Sequence, residues 1–421
     1  MNQRIVNDDR FEVFYVRGDT DYPAPVLANS GTSGDAFGRL RVSDPFTLFD
    51  SQHRYQENDK WDTALNGGGT KTYRANESAI DLTVPVTSGA YVYRETKKVF
   101  TYQSGKSLLV LSSFVFAAAK ANLRQRVGYF GTQNGVYIEQ DGTTKYLVLR
   151  SYTTGSVVNT RIPQAEWNGD KLDGTGVSGH TVDLSKTQIL WFDIEWLGVG
   201  DVRCGVVVDG RMVIAHTFHG DNVNPTTYMT TAVLPLRQEI ENTGTTASSS
   251  TAKQICNTVI SEGGYSGFSR RYNVATGSTA LTLATVGTMY PVMAIRLNSA
   301  RLDSVIIPSN ISAAVEQTTN NKLDIVQYHV IINPTLTGGT WNTHFNGNVD
   351  YNTSITSHSS GTEIIGGYLT SSSSLALNNI NDFNFQLGRT MAGVSDIVLI
   401  AVTPTTAGAK LFLDLAWFEL V

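Results

Sequence analysis

The sequence predicts an all-β protein. Three observations carry that prediction. Apolar runs of strand length recur at short intervals, with polar residues at alternate positions. Turn residues separate the runs. Two separators are Asp141-Gly142 and Asp209-Gly210, and Asp-Gly between apolar runs suits a tight hairpin. Stretches with a helical period are scarce. Charged residues make up only 16% of the 421, against roughly 25% in an ordinary soluble domain. Ser, Thr, Asn and Gly take their place, as suits a turn-rich sandwich or a subunit that buries uncharged polar surface in an assembly.

The elements follow in chain order. Residues 5–17 read as a strand with a charged lead-in. The segment TDYPAPVLANSGTSGDAFG is extended, because Pro23 and Pro25 fix their own φ and bias their predecessors away from helix. RLRVSDPFTLFD is a short strand pair broken at Pro45. YVYRETKKVFTYQ, SLLVLSSFVF, VGYFG, GVYIEQDG and TKYLVLRSY then alternate as strands. AAAKANLRQ, at 117–125, is the best helical candidate and equally a loop with one helical turn. LWFDIEWLGVGDVRCGVVVD, at 190–209, reads as two apolar strands joined by the turn Gly198–Asp201. RMVIAHTF, MTTAVLPLRQEIEN and KQICNTVI continue the series, with a polar connection at 243–252. Turn residues crowd 273–291, which places a domain boundary there. PVMAIRLNS, VQYHVIINP, DIVLIAVTP and AKLFLDLAWFELV are strands again. The expected organisation is an N-terminal strand and extended arm (1–45), a sandwich (46–280) and a smaller C-terminal β-sandwich (290–421).

Composition narrows the function. A net charge of −5 without a dense basic run leaves no electrostatic footprint for nucleic acid. No window approaches the roughly 18 apolar residues that span a bilayer, so no membrane insertion is expected. The acidic, mixed N-terminus is not read as a secretory signal. Cys204 and Cys256, the only cysteines, are read as packed thiols. His216 and His219, with Asp221 nearby, are read as a hairpin end rather than a metal site, and no metal or cofactor is expected. The pairs Lys97-Lys98 and Arg270-Arg271 read as solvated surface.

The candidate site lies in the strand at 190–196. Trp191, Asp193 and Glu195 alternate with Phe192, Ile194 and Trp196, so the two sets take opposite faces. Two carboxylates on one face suit glycoside cleavage and equally the wet face of a structural sheet. Trp191, Trp196, Trp167 and Tyr228 are eligible to stack on sugar rings, although aromatics at strand spacing are commonly core. The candidate carbohydrate-binding set is Trp191, Asp193, Glu195 and Trp196.

Residues 191–195, Trp-Phe-Asp-Ile-Glu, resemble the Glu-x-Asp-x-Glu strand of concanavalin-like, laminarinase-type glucanases. The resemblance implies a jelly-roll sandwich in which Asp193 matches the middle Asp and Glu195 the acid/base. Trp191 stands where that family carries its nucleophile, so the retaining mechanism is not implied, and the chain is expected not to be an enzyme. Residues 31–55, GTSGDAFGRLRVSDPFTLFDSQHRY, resemble a segment of virion structural proteins of tailed bacteriophages. Residues 189–242 resemble the lectin-like sandwich that follows it. This second resemblance implies a structural component of the tail, baseplate, collar or head-fibre region, assembled in the host cytoplasm. Its expected partners are itself, as a trimer or hexamer, other virion proteins and a host surface glycan. Phe37, Arg39, Leu40 and Arg41 are the expected assembly contacts.

Overall fold

Alternation of side chains organises the strands. Along Ser107–Val115, Leu108, Val110, Ser112 and Phe114 are buried and the residues between them half-buried. The computed structural model describes residues 44–264, 269–316, 323–345, 347–371 and 385–420. It also gives the backbone strands Ile5–Val6, Glu12–Val16, Ala24–Val26 and Leu375–Leu377. Phe37, Arg39, Leu40 and Arg41 lie outside the described residues.

The protein is all-β, built as two antiparallel sandwiches. In the first, an eight-stranded sheet runs in the order Arg211–Phe218, Val202–Val208, Gln188–Ile194, Ser107–Val115, Ser250–Glu262, Ala79–Val84, Thr70–Arg74, with Pro45–Ser51 also on Ser250–Glu262. A seven-stranded sheet faces it: Val158–Pro163, Thr144–Ser151, Gly135–Asp141, Leu123–Phe130, Leu236–Asn242, Tyr91–Thr96, Trp61–Asn66. In the second sandwich, Ala409–Leu420 pairs with Arg270–Ala275, Leu281–Leu283 and Val305–Glu316. The facing sheet is built on Tyr290–Leu297, Ile397–Pro404 and Ile325–Ile332. Trp417 is fully buried there. The chain joins the second sandwich at Arg270 rather than after 280, because Arg270–Ala275 hydrogen-bonds along the C-terminal strand.

No α-helix occurs among the described residues; Gln164–Glu166 is one 3₁₀ turn. The helical candidate at 117–125 is a loop leading into the strand Leu123–Phe130. The Gln125 side chain takes both backbone groups of Ala117, accepting from its N–H at 2.7 Å and donating to its carbonyl at 3.0 Å. Asn122 adopts φ 65°, a left-handed conformation that breaks a helix.

Two apolar clusters between the sheets of the first sandwich are separated by a polar layer, and a third, of Phe130, Tyr137 and Val148, is smaller. Val92, Leu123, Ile240 and Ala252 belong to one cluster. Val127, Leu236 and Val259 belong to the other. Between them on the same strands stand buried Arg94, Gln125, Gln238 and Gln254. Arg94 donates to Glu57 at 2.6 Å and lies 5.7 Å from the Trp61 ring. Burial holds its guanidinium below its ordinary range, against the pull of Glu57.

The outward residues of the seven-stranded sheet form a chain of alternating charge. Arg161 pairs with Glu139, Glu139 with Arg126, Arg126 with Glu239, Glu239 with Arg237, and Arg237 with Glu95. Glu95 also accepts from Arg389 of the second sandwich at 2.7 Å. Three further bonds fasten that segment: Arg389 N–H to the Lys97 carbonyl at 2.8 Å, Met391 N–H to Asp62 at 2.6 Å, and Gln386 to the Val99 carbonyl at 3.0 Å. The Lys97-Lys98 pair, expected as solvated surface, therefore sits at this junction. Burial, with Lys60 nearby, pulls the Lys98 amine down to about 8.

Candidate binding site

The Gln188–Ile194 strand sends Leu190, Phe192 and Ile194 into the core, so Trp191 and Asp193 take the outer face. The hairpin register sets Asp193 opposite Arg203 and Trp191 opposite Gly205. Asp193 and Arg203 form an ion pair across the strands. Trp191 lies over Gly205, where a Cβ would meet its ring at 2.7 Å and the Val213 carbonyl oxygen at 1.9 Å. Trp191 is 3% exposed, and its indole N–H donates to the Val206 carbonyl at 3.2 Å. Only glycine allows that seat, and the seat withholds the Trp191 ring from a ligand.

Glu195 is exposed just past the strand end. Its N–H donates to the Asp201 carbonyl at 3.0 Å, and the Gly200 N–H donates to the Trp196 carbonyl at 2.8 Å. These bonds close the turn. The Asp201 carboxylate accepts from the Gly220 N–H at 3.0 Å and meets the His219 ring at 2.9 Å, tying the loop after His219 to the hairpin. Burial pushes this carboxyl up, but the Gly220 amide and His219 outweigh it and hold it below the usual carboxylate range.

Asp193, Glu195, Asp201, Arg203, Lys106 and Tyr102 line an open cavity of about 450 Å³. Lys106 is anchored at its mouth, donating to Gln103 at 2.9 Å and to the Gly264 carbonyl at 3.0 Å. Sequence reasoning named the two carboxylates and missed Arg203, Asp201, Lys106 and Tyr102. The turn expected at Gly198–Asp201 would set residue 206 across from 193; the observed hairpin closes earlier, with Ile194 opposite Val202, and that register brings Arg203 to Asp193.

The four candidate residues do not converge. Asp193 and Glu195 share the cavity. Trp191 is buried beside it. Trp196 is half-buried, meets Tyr102 edge-on at 5.9 Å and lines a different depression. Trp167 and Tyr228, at 3% and 6% exposure, are core. His216 is buried and accepts from the Asn168 N–H at 3.2 Å, whereas His219 meets Asp201; the two rings serve separate loops. Cys204 is buried and Cys256 exposed; the expectation of two packed thiols therefore describes Cys204 alone, since Cys256 lies on the outer face of the sheet.

No family model matches the chain, and no curated protein matches it. Solved structures do resemble it. A β-glucanase from Bacillus licheniformis aligns at 13% identity over 53% of this chain and 99% of its own, with a TM-score of 0.31. A Bauhinia forficata lectin in complex with GalNAc aligns at 11%, over 52% and 98%, with a TM-score of 0.31. The CBM2 module of the evolved Dit of Lactobacillus casei BL23 phage J-1 aligns at 5%, over 54% and 100%, with a TM-score of 0.34. These identities and scores are too low for any activity, ligand or assembly to pass from those proteins to this chain.

Proposed function

We propose that this chain is a non-catalytic structural component of a tailed-phage particle, acting as a rigid two-sandwich block in a homo-oligomer. The observation that carries the reading is the fastening of the two sandwiches. A buried carboxylate, Glu95, joins a guanidinium from each sandwich, and three backbone-directed bonds flank it. Domains joined by polar contacts alone commonly move relative to each other. A buried charge bridge with fixed geometry opposes that motion. The segment 31–55 supplies the link to a virion. The buried Trp191 and the Asp193–Arg203 pair support the non-catalytic part, because the cavity keeps one exposed carboxylate, Glu195, without a partnered nucleophile.

Light scattering on the full chain and on a chain beginning at residue 46 tests this. The expected result is a discrete trimer or hexamer that disperses without the arm. Monomers in both cases, together with absence from purified particles, would overturn it. A second reading, carbohydrate binding, is favoured by the open cavity at Asp193 and Glu195 with two cations on its wall. Hydrolysis of a bacterial polysaccharide that Glu195→Gln abolishes would refute the non-catalytic statement.

A further inference from the structure

A depression of about 600 Å³ lies between the two sandwiches. Thr101, Ser104, Trp196 and Thr231 line one wall, and Arg301, Ser304 and Asn348 are on the other. Tyr102 lines both this groove and the Asp193–Glu195 cavity, so the two spaces adjoin. We propose that the groove binds a neutral, hydroxyl-rich oligosaccharide, in a composite site that needs both sandwiches and continues past Tyr102 into the cavity. The proposal rests on the carbohydrate-binding reading and adds to it the second sandwich and the ligand class.

The chemistry of the walls selects the class. Hydroxyls, an amide and one guanidinium share the lining with the half-buried Trp196 indole and with aliphatic residues such as Val233 and Leu302. That mixture offers paired hydrogen-bond donors and acceptors beside an aromatic surface, as a sugar ring with polar edges and an apolar face requires. Arg301 donates to Asn348 at 2.7 Å, which holds both side chains along the same wall. The groove has one cation, Arg301, and one anion, Asp303, and Asp303 already pairs with Arg389 at 2.9 Å. The adjoining cavity adds Lys106 and Arg203 against Asp193, Glu195 and Asp201, with Arg203 already paired to Asp193, so the composite site does not provide the clustered free cations that a phosphate or polyanionic ligand would call for. The width is set by the junction itself. Arg389 bridges Asp303 on the groove wall to Glu95 of the first sandwich, so it is a positioning residue that need not touch the ligand.

The test is an array of neutral glucans, mannans, galactans and N-acetylhexosamine polymers, probed with the full chain, followed by calorimetric titration of the best binder. Ala300→Trp, on the exposed rim, should block the groove and weaken binding at least about tenfold, close to 1.4 kcal/mol. Arg301→Ala should weaken it severalfold, with melting temperatures unchanged in both. Glu195→Ala reports on the adjoining cavity alone. Loss in Glu195→Ala with Ala300→Trp and Arg301→Ala unaffected would overturn the composite site and leave the carbohydrate-binding reading standing. Binding of acidic glycans or peptides only, blocked by Ala300→Trp, would overturn the ligand class. No binding to any neutral glycan would remove both.

Discussion

Glu95→Gln probes the bridge between the sandwiches. The Glu95 side chain is 3% exposed and accepts from Arg237 at 2.6 Å and from Arg389 at 2.7 Å. Glutamine keeps the shape but offers an acceptor to one guanidinium and an N–H to the other. One charge-assisted bond of about 1.5–3 kcal/mol is lost, and both cations lose their shared counter-charge. Arg237 retains Glu239 and Arg389 retains Asp303, which keeps the cost at the lower end of the roughly 3–5 kcal/mol typical of a broken buried pair. About 3 kcal/mol corresponds to a fall in melting temperature of roughly 6–12 °C for a domain of this size. Arg389→Met should cost less, about 2 kcal/mol, because its other partner, Asp303, is 67% exposed and an exposed pair contributes little. Scanning calorimetry should show one cooperative transition in the parent chain and two separated transitions in Arg389→Met. A double-mutant cycle should return a coupling of about 2 kcal/mol. A shift below about 2 °C in Glu95→Gln, or strictly additive effects, would refute the bridge as the source of coupling.

Three further outcomes follow from the packing. His53 and His216 each use Nδ1 to accept a backbone N–H, from Asn58 and Asn168 at 3.1 and 3.2 Å, so both are neutral when folded. Burial, helped by Arg94 at His53 and by His219 at His216, pulls both from 6.5 to about 4. The unfolded chain therefore takes up protons first. Stability is full above about pH 6.5 and falls as pH drops towards 4, by up to about 3 kcal/mol per histidine. Urea midpoints across that window should fall less in His53→Asn and His216→Asn than in the parent, and parallel profiles would refute the assignment. Gly205→Ala should destabilise the first sandwich by at least about 3 kcal/mol, because its Cβ would overlap the Val213 carbonyl oxygen and the Trp191 ring; a neutral effect in thermal unfolding would contradict the Trp191 seat. Ellman's reagent should label Cys256 in the native protein and Cys204 only after unfolding, since burial pushes the Cys204 thiol well up. Two native labels would refute that burial.

The strand alternation and the Asp-Gly hairpins were legible in the sequence because burial on one sheet face imposes a period of two on local residues. The pairing of Asp193 with Arg203 was not legible, because the hairpin closes with Ile194 opposite Val202, three residues out of the register that a turn at Gly198–Asp201 gives. Nor was the polar layer. LRQEI reads within a strand, but LRQ at 123–125 reads as the end of a helical candidate, and neither reading places a buried polar side chain inside the sandwich. Leu123, Gln125 and Val127 point inward from one, and Leu236, Gln238 and Ile240 from the other. What makes them strands lies elsewhere in the chain: their register against each other, Arg126 beside Glu239 and Gln125 beside Ile240. The fate of Trp191 was equally hidden. It depended on Gly205 across the hairpin and on the Val213 carbonyl two strands away.

The same arrangement changes what the low charge content means. With 16% charged residues, the chain first suggests a surface of uncharged polar groups. Seven of its charges instead form one line, exposed at Arg161 and buried from Glu139 through Arg126, Glu239 and Arg237 to Glu95, which ends on Arg389. Each member is held by neighbours of opposite sign, so substitution of an interior member leaves two flanking charges of like sign facing each other. The line therefore acts as a cooperative unit in which the far sandwich is the last partner. Asp303, on the groove wall, is attached to the end of that line through Arg389, so a change anywhere along the line is expected to reach the groove.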